Sequence, residues 1–286
     1  MNFFNKLTRN NKLYFIAEIG INHNGSLEIA KKLISAAKLA GCSAVKIQKR
    51  TPEICVPKDQ WNMMRDTPWG KMKYIDYKKK MEFSFSDYKK LFRYAKINQI
   101  DFIASCWDVP SVKFMKKLNI PFYKVASASI TDFELLKEIK KTKKPIIIST
   151  GMSTENQIKK CVSFLSQKNL CIMHCTSSYP ASTNELNLNY IPVLKKKFTK
   201  SVIGYSGHET NLSSTIAAYV LGARIIERHI TLDRSMWGTD QKSSIEPLGI
   251  ARLIRDIQNI YNSLGDGKKR VYKSEIPMIE KLRLVK

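Results

Sequence analysis

The chain has little that would mark a secreted or membrane-bound protein. Its six cysteines form no CxxC pair and no disulfide framework, which is typical of a reduced, intracellular protein. The amino-terminal segment has no apolar stretch long enough for a signal peptide, and no later apolar run could span a bilayer. We therefore expect a cytoplasmic protein with no membrane partner. A length of 286 residues is normal for a single α/β barrel.

Negative charge is also scarce, because 49 Lys and Arg residues face only 24 Asp and Glu residues and give a net charge of +25. The lysines fall mainly on the polar faces of predicted helices, as in KKLISAAK, and there is no arginine-rich run or RNA-binding signature. We interpret the charge as a lysine-rich solvated surface and expect no specific nucleic-acid partner. A protein that binds polyanions is the alternative interpretation.

Short apolar runs alternate with amphipathic segments along the whole chain. The predicted strands cover residues 14–19, 43–48, 101–105, 122–126, 145–149, 170–175, 201–205 and 224–227. The predicted helices cover residues 26–40, 84–98, 111–118, 132–141, 154–167, 188–196, 211–221 and 247–264. Eight such units predict an α/β protein with a (β/α)8 TIM barrel. A doubly wound sheet is the alternative, but the sequence has no glycine-rich phosphate-binding turn.

Two histidines follow the last two predicted strands. His208 comes after the seventh strand and His229 after the eighth, and a helix of crossover length separates these strands. Neighbouring parallel strands lie about 5 Å apart, so the two imidazoles could share one divalent metal ion. Two ordinary hydrogen-bonded histidines are the alternative.

The carboxyl ends of the other predicted strands are polar too, and a TIM barrel has its functional residues at these ends. They carry Glu18, Asn22, His23, Lys46, Gln48, Ser105, Lys124, Ser127, Ser149, Thr150, His174 and Tyr179.

The two lysines of this set are informative because strand side chains alternate between the two faces of a sheet. Apolar neighbours flank Lys46 in SAVKIQ and Lys124 in FYKVAS, and this pattern aims both ammonium groups into the barrel together with Glu18. An isolated buried charge is too costly, so each lysine needs a partner. Either they form internal ion pairs with Glu18, or they bind phosphate and carboxylate groups. Combined with a metal, the second interpretation suggests a doubly anionic small substrate.

Seven motifs together resemble the sialic acid synthase family, the N-acetylneuraminate-type nonulosonate synthases. They are AEIGINHNG, AVKIQ, YKVASASI, PIIISTGMS, CTSSYP, GYSGH and ERHITLD…WGTD, and they extend over roughly residues 14–282 in the order found in that family. The resemblance implies a barrel enzyme, a transferase that condenses phosphoenolpyruvate with an N-acylated hexosamine such as N-acetylmannosamine and releases phosphate. It also implies a divalent metal, Mn²⁺ first, with Mg²⁺ or Co²⁺ as other options.

The resemblance carries over to individual residues. His208 and His229 match the metal ligands, Glu18 matches a catalytic carboxylate, and Tyr179 and Asp240 match sugar-contacting positions. The positions that match the phosphoenolpyruvate-binding set are Lys46, Ser105, Lys124, Ser127, Ser149 and Ser206, with Gln48 nearby. We place His208, His229 and Lys124 beside Glu18 in the catalytic set.

The sequence departs from the family pattern at several points. Ser129 occupies a position where the sialic acid enzymes carry a sugar-binding glutamate, which leaves the acceptor sugar open. We expect a single barrel domain over residues 1–286, with a tail from about residue 265 and no antifreeze-like domain, in a homodimer.

The long segment 49–83, with Trp61, Met63, Met64, Arg65 and Trp69, is predicted to be irregular and to act as a lid over the sugar or as a dimer contact. The functional alternatives are a 3-deoxy-ulosonate synthase that uses a phosphorylated sugar and an inactive polyanion-binding barrel.

Overall fold

In the computed structural model, which describes residues 3–285, eight parallel strands close into a barrel. The barrel strands are β1 (Tyr14–Gly20), β2 (Ala44–Lys49), β5 (Asp101–Cys106), β6 (Tyr123–Val125), β7 (Ile146–Ser149), β8 (Leu170–Cys175), β9 (Val202–Gly207) and β10 (Ile225–His229). Their order around the barrel is β1-β10-β9-β8-β7-β6-β5-β2, so β1 closes the sheet by pairing with both β10 and β2. The predicted TIM barrel is confirmed.

Helices follow the strands and form the outer layer. The helices are α1 (Phe3–Leu7), α2 (Leu27–Leu39), α3 (Pro52–Cys55), α4 (Tyr74–Met81), α5 (Phe85–Ile97), α6 (Val109–Lys116), α7 (Phe133–Lys141), α8 (Glu155–Leu165), α9 (Tyr190–Lys197), α10 (Ser213–Val220), α11 (Pro247–Leu264) and α12 (Ile276–Leu282). Side-chain oxygens of Ser26, Ser84, Asp108, Asp132 and Thr154 accept backbone N–H groups at the starts of α2, α5, α6, α7 and α8. These caps satisfy donors that have no partner inside the helix, and they fix where each helix begins.

The barrel interior is apolar at its amino-terminal end. Inward-pointing side chains of the strands form one buried cluster there, with Tyr14, Ile16, Ala44, Ile103, Phe122, Ile147, Cys171, Met173, Val202 and Ile225. Phe4 of α1 is fully buried in this cluster, with its ring centroid 5.5 Å from that of Phe122. The short helix α1, which the sequence did not predict, therefore closes the amino-terminal end. The charged and hydroxyl side chains of the pocket lie at the opposite, carboxyl end.

The segment after β2 is not irregular, so that prediction was wrong. It contains α3, an antiparallel hairpin of β3 (Met64–Thr67) and β4 (Gly70–Lys73), and α4. Tyr77 of α4 packs edge-to-face on Trp237, with ring centroids 5.4 Å apart, and this contact ties the insert to the loop after β10. The insert thereby borders the carboxyl end of the barrel, while Met63 and Met64 are exposed at 45% and 51%.

The carboxyl-terminal segment after α11 is almost wholly exposed and carries the seven-residue helix α12. Within residues 3–285, no helix is both long and apolar enough to cross a membrane. All six cysteines have free thiols.

Candidate active site

A pocket of about 210 Å³ opens at the carboxyl end of the barrel. The predicted site residues that line it are Glu18, Lys46, Gln48, Ser105, Lys124, Ser127, Ser149, Tyr179, Ser206, His208 and His229. Asp240 is not part of the lining but lies at its edge, with Oδ2 3.6 Å from Nδ1 of His229. The structure thus brings together predicted residues from the ends of all eight strands, and their individual roles stay predictions. Four other residues that the sequence placed at strand ends are not among those that line this pocket, namely Asn22, His23, Thr150 and His174.

Two lysines and two glutamates form a buried charge cluster at the pocket floor. Lys46 Nζ donates to Glu227 Oε1 at 2.8 Å and lies 3.5 Å from Glu18 Oε2, whereas Lys124 Nζ lies 3.5 Å from Glu227 Oε1. All four side chains are at most 5% exposed. Both lysine side chains point into the barrel, as predicted. Their ammonium groups are paired, as burial of charge requires.

Glu227 is the partner that the sequence reading missed. It lies two residues before His229 on β10, and the alternation of a strand places both side chains on the same face. The sequence predicts a strand that ends at residue 227 with His229 in the following loop, so it does not indicate that the two side chains share a face. Extending the strand to His229 would have revealed Glu227 as a second inward carboxylate.

The two carboxyl groups have opposite pKa shifts. Burial raises the pKa of Glu18 to about 7, although Lys46 opposes the shift, and the negative charge of Glu227 raises it further. Burial opposes ionisation of Glu227 too, but Lys124 and Lys46 outweigh it and hold the pKa of that carboxyl below its ordinary value. The pocket therefore contains one firmly ionised carboxylate and one carboxyl that exchanges its proton near neutral pH. Such a separation is what an acid–base site requires.

Serine hydroxyls surround this cluster. Lys124 Nζ donates to Ser149 Oγ at 2.7 Å, and Ser206 Oγ donates to Glu227 Oε1 at 3.3 Å. Ser127 Oγ accepts the backbone N–H of Gly151 at 3.1 Å. Ammonium and hydroxyl groups in this arrangement can bind the oxygens of a small anion from several sides.

The two histidines meet at the pocket wall, as predicted, with ring centroids 5.5 Å apart. Nδ1 of His208 faces the carbonyl oxygen of Thr176 at 2.7 Å, so Nε2 is the nitrogen that a metal ion could use. Nδ1 of His229 is buried and has no hydrogen-bond partner among the described residues. Burial lowers the pKa of His229 to about 4, so its imidazole is neutral, as metal binding requires.

These features fit a divalent metal ion with two protein ligands. Within residues 3–285, no group of three or more His, Cys, Asp or Glu side chains is arranged to hold a metal ion. A closed structural site would need about four protein ligands, whereas a catalytic site leaves positions for water and substrate. The histidine pair is therefore compatible only with an open site.

The predicted sugar-contacting side chains lie around the pocket mouth. The Tyr179 ring lies 4.1 Å from the His208 ring, centroid to centroid, and is 47% exposed. Gly20, at φ +55°, leaves room for the side chains of Glu18, Gln48 and Asp240, because a Cβ there would lie within 3.4 Å of an atom of each. Ser129 is buried and is not among the residues that line the pocket, whereas its neighbour Ala128 is.

The fold and this pocket together define a TIM-barrel enzyme with a polar site at the carboxyl ends of its strands. Residues 33–269 match the NeuB family. The chain belongs to this family, which confirms the resemblance read from the motifs.

Relatives and solved structures agree with this assignment. The chain is 37% identical over 273 residues to human N-acetylneuraminate-9-phosphate synthase, covering 94% of this chain and 76% of the human protein. It is 36% identical over 272 residues to N,N'-diacetyllegionaminic acid synthase of Campylobacter jejuni, covering 92% and 81% of the two chains. The crystal structure of N-acetylneuraminic acid synthetase from Leptospira borgpetersenii superposes with a TM-score of 0.84 at 31% identity, over 95% of this chain and 92% of that one. The protein is thus an enzyme of a nonulosonate synthase family.

Proposed function

We propose that the protein condenses phosphoenolpyruvate with an N-acylated hexosamine, such as N-acetylmannosamine, to form a nonulosonate and inorganic phosphate. The observation that carries this proposal is the buried cluster of Lys46 and Lys124 with serine hydroxyls at the base of the histidine-walled pocket. Phosphoenolpyruvate carries two anionic groups on C2, the carboxylate directly and the phosphate through its ester oxygen. Two ammonium groups and several hydroxyls offer donors to both anionic groups.

The charges of the pocket support this proposal. Lys46 and Lys124 share the single carboxylate oxygen Oε1 of Glu227, so Lys124 is held less closely, at 3.5 Å against 2.8 Å for Lys46. Burial comes first among the causes that lower the pKa of Lys124, while Glu227 opposes it. A bound phosphate or carboxylate would add the negative charge that this lysine lacks. Substrate binding therefore needs no rearrangement of the Lys46–Glu227 pair.

In the proposed reaction, C3 of phosphoenolpyruvate forms a bond to the aldehyde carbon of the open-chain sugar. Water then adds to C2, and the C–O bond to phosphate breaks, so that phosphate leaves with its electron pair and C2 becomes the carbonyl of the product. The aldehyde oxygen needs a proton, and the attacking water must lose one. Glu18 is suited to hold or transfer this proton, because its raised pKa lets it exchange a proton near pH 7.

His208 and His229 would hold the divalent ion, Mn²⁺ or alternatively Mg²⁺ or Co²⁺. When bound, such an ion supplies Lewis-acid polarisation of an oxygen of the acceptor. Tyr179 and Asp240 border these histidines at the pocket mouth and would orient the sugar. Serine hydroxyls at Ser105, Ser127, Ser149 and Ser206 would hold phosphoenolpyruvate below it.

The test is an assay of phosphate release from phosphoenolpyruvate with a panel of N-acyl hexosamines and Mn²⁺, with mass analysis of the product. The proposal requires release that depends on the sugar and a product mass equal to sugar plus pyruvate. An inactive polyanion-binding barrel would give no release and would bind RNA with a steep salt dependence. Sugar-independent release would also contradict the proposal, since it would indicate a phosphatase.

A further inference from the structure

The turn between β7 and α8 holds one residue in a backbone conformation that its side chain disfavours. Met152 has φ +56°, in the left-handed region that glycine and asparagine occupy most readily. Nine non-glycine residues within residues 3–285 have positive φ, and Met152 is the only apolar one among them. The other eight are Asn10, Asn24, Gln99, Asn119, Lys143, Ser166, Asn169 and Asn187. Strained residues of this kind cluster at functional sites.

The neighbours of Met152 hold the turn in place. Gly151 donates its backbone N–H to Ser127 Oγ at 3.1 Å, and the capping box of Thr154 fixes the start of α8. A Cβ at residue 151 would overlap Ser177 Oγ, so the glycine of the turn is needed at that position. The turn therefore accounts for the left-handed backbone of Met152, but it does not account for the methionine side chain.

The side chain of Met152 contributes little to the packing of the protein, because it is 69% exposed. It lines the catalytic pocket and also a neighbouring cavity of about 400 Å³. Cys175 and Ser177 line both cavities as well, so Met152 lies on the border between the two. Neither burial nor backbone preference explains a methionine here, whereas a contact with a bound substrate would.

Most of the side chains that line the catalytic pocket are charged or form hydrogen bonds. Among the described residues of the lining, the aliphatic side chains are those of Ala126, Ala128 and Met152. The aromatic rings of Trp107 and Tyr179 already pack on a guanidinium and an imidazole of the protein. An N-acyl hexosamine carries hydroxyl groups and one alkyl group, at the end of its acyl substituent. Met152 is the long, adaptable aliphatic side chain that this pocket offers to such a group.

We propose that Met152 is a specificity-determining residue whose side chain contacts the acyl group of the acceptor sugar. This inference rests on the proposed function, because it takes an N-acyl hexosamine as the acceptor. The contact buries apolar surface of both partners, which is favourable. The rotatable bonds of methionine let it fit acyl groups of different length. The substrate contact thereby explains a methionine at a position that favours glycine.

The experiment compares N-acetyl-, N-propanoyl- and N-butanoylmannosamine at saturating phosphoenolpyruvate, or the same acyl series of another hexosamine if the phosphate-release assay favours it. Met152→Gly removes the side chain and suits the left-handed backbone, so its urea midpoint should not fall. Its kcat/KM for the N-acetyl sugar should fall roughly 10-fold, the scale of a lost apolar contact with a substrate. The N-butanoyl sugar should lose less, because its chain can occupy the vacated space. The KM for phosphoenolpyruvate should not change.

Lys143→Gly is the matched control for the backbone. Lys143 has φ +57° and lies between α7 and β7, at the opposite end of the barrel from the pocket. This variant relieves the same backbone conformation, and it should leave the kinetics of all three sugars unchanged.

Two results would overturn the role of Met152 and leave the proposed function standing. One is a Met152→Gly protein with the kcat/KM values and acyl-length preference of the unsubstituted protein. The other is a Met152→Gly protein with a lower urea midpoint and an equal loss of kcat/KM for every sugar, because that pattern indicates a structural role. If the unsubstituted protein releases no phosphate with any N-acyl hexosamine, the proposed function is wrong, and the role of Met152 is overturned with it.

Discussion

Arg228 and Glu209 form a fully buried ion pair directly behind the two histidines of the site. Arg228 Nη1 lies 2.9 Å from Glu209 Oε1, and both side chains are 0% exposed. Arg228 precedes His229 on β10, and Glu209 follows His208, so the pair joins the two backbone segments that carry the histidines. Thr215 and Tyr205 add hydrogen bonds to the same carboxylate. The separation of the histidines is thereby fixed from outside the barrel.

Breaking this pair should be costly. Arg228→Met leaves the Glu209 carboxylate buried without its partner, and such single removals typically cost about 3–5 kcal/mol of the free energy of unfolding. The double variant Arg228→Met/Glu209→Met should be destabilised by much less than the sum of the two single variants, because it leaves no uncompensated charge. Urea denaturation of the four proteins measures this coupling. If the losses of the two single variants add up to the loss of the double variant, Arg228 and Glu209 are not energetically coupled.

Lys124 should be essential for binding of phosphoenolpyruvate. Lys124→Met removes a buried cation whose partners are Ser149 and Glu227. Truncating one member of a buried charge pair costs about 2–5 kcal/mol, which corresponds to roughly 30- to several-thousand-fold in kcat/KM for phosphoenolpyruvate. The fold should persist, since Glu227 retains Lys46. Lys113→Met, on the exposed side of α6, is the control. Normal phosphoenolpyruvate binding by Lys124→Met would mean that the lysine serves only an internal ion pair.

Glu18 should make stability depend on pH. Its pKa is raised in the folded protein to about 7 from an ordinary value of 4.5, so the folded state holds a proton that the unfolded state has lost. The contribution of Glu18 to stability is therefore fully present below 4.5 and is lost as the pH rises through 7. We expect Glu18→Gln to gain stability relative to the unsubstituted protein between about pH 5 and about pH 8. Urea denaturation at both pH values measures the free energy of unfolding of the two proteins. If the difference between the two proteins is the same at both pH values, the pKa of Glu18 is not raised.

The histidine pair should account for metal binding. His229→Ala removes one of two protein ligands, and we expect equilibrium dialysis to show loss of Mn²⁺ binding together with loss of activity. His174→Gln is the matched control, because Nε2 of His174 lies 2.6 Å from the carbonyl oxygen of Leu186 and this histidine is not among the predicted ligands. Chelator should abolish activity, and added Mn²⁺ should restore it. Full turnover by protein freed of metal would contradict the assignment.

The sequence was sufficient for the barrel and for most of the polar residues that line the pocket, because both follow from local patterns. The period of two along each strand placed Lys46, Lys124 and Glu18 in the interior. It did not reveal that Glu227 pairs with Lys46, since these residues are 181 positions apart and no local pattern encodes that contact. The structure of the insert was missed for a different reason, because its exposed hairpin lacks a clear apolar alternation.

The central claim is that phosphoenolpyruvate loses its phosphate by C–O cleavage after condensation with the sugar. Turnover in ¹⁸O-labelled water tests it most directly, with mass analysis of both products. The proposed addition of water to C2 predicts label in the nonulosonate and none in the inorganic phosphate beyond that of a control without enzyme. Label in the phosphate would instead indicate attack of water on phosphorus, and it would contradict the roles proposed for Lys124 and Glu18.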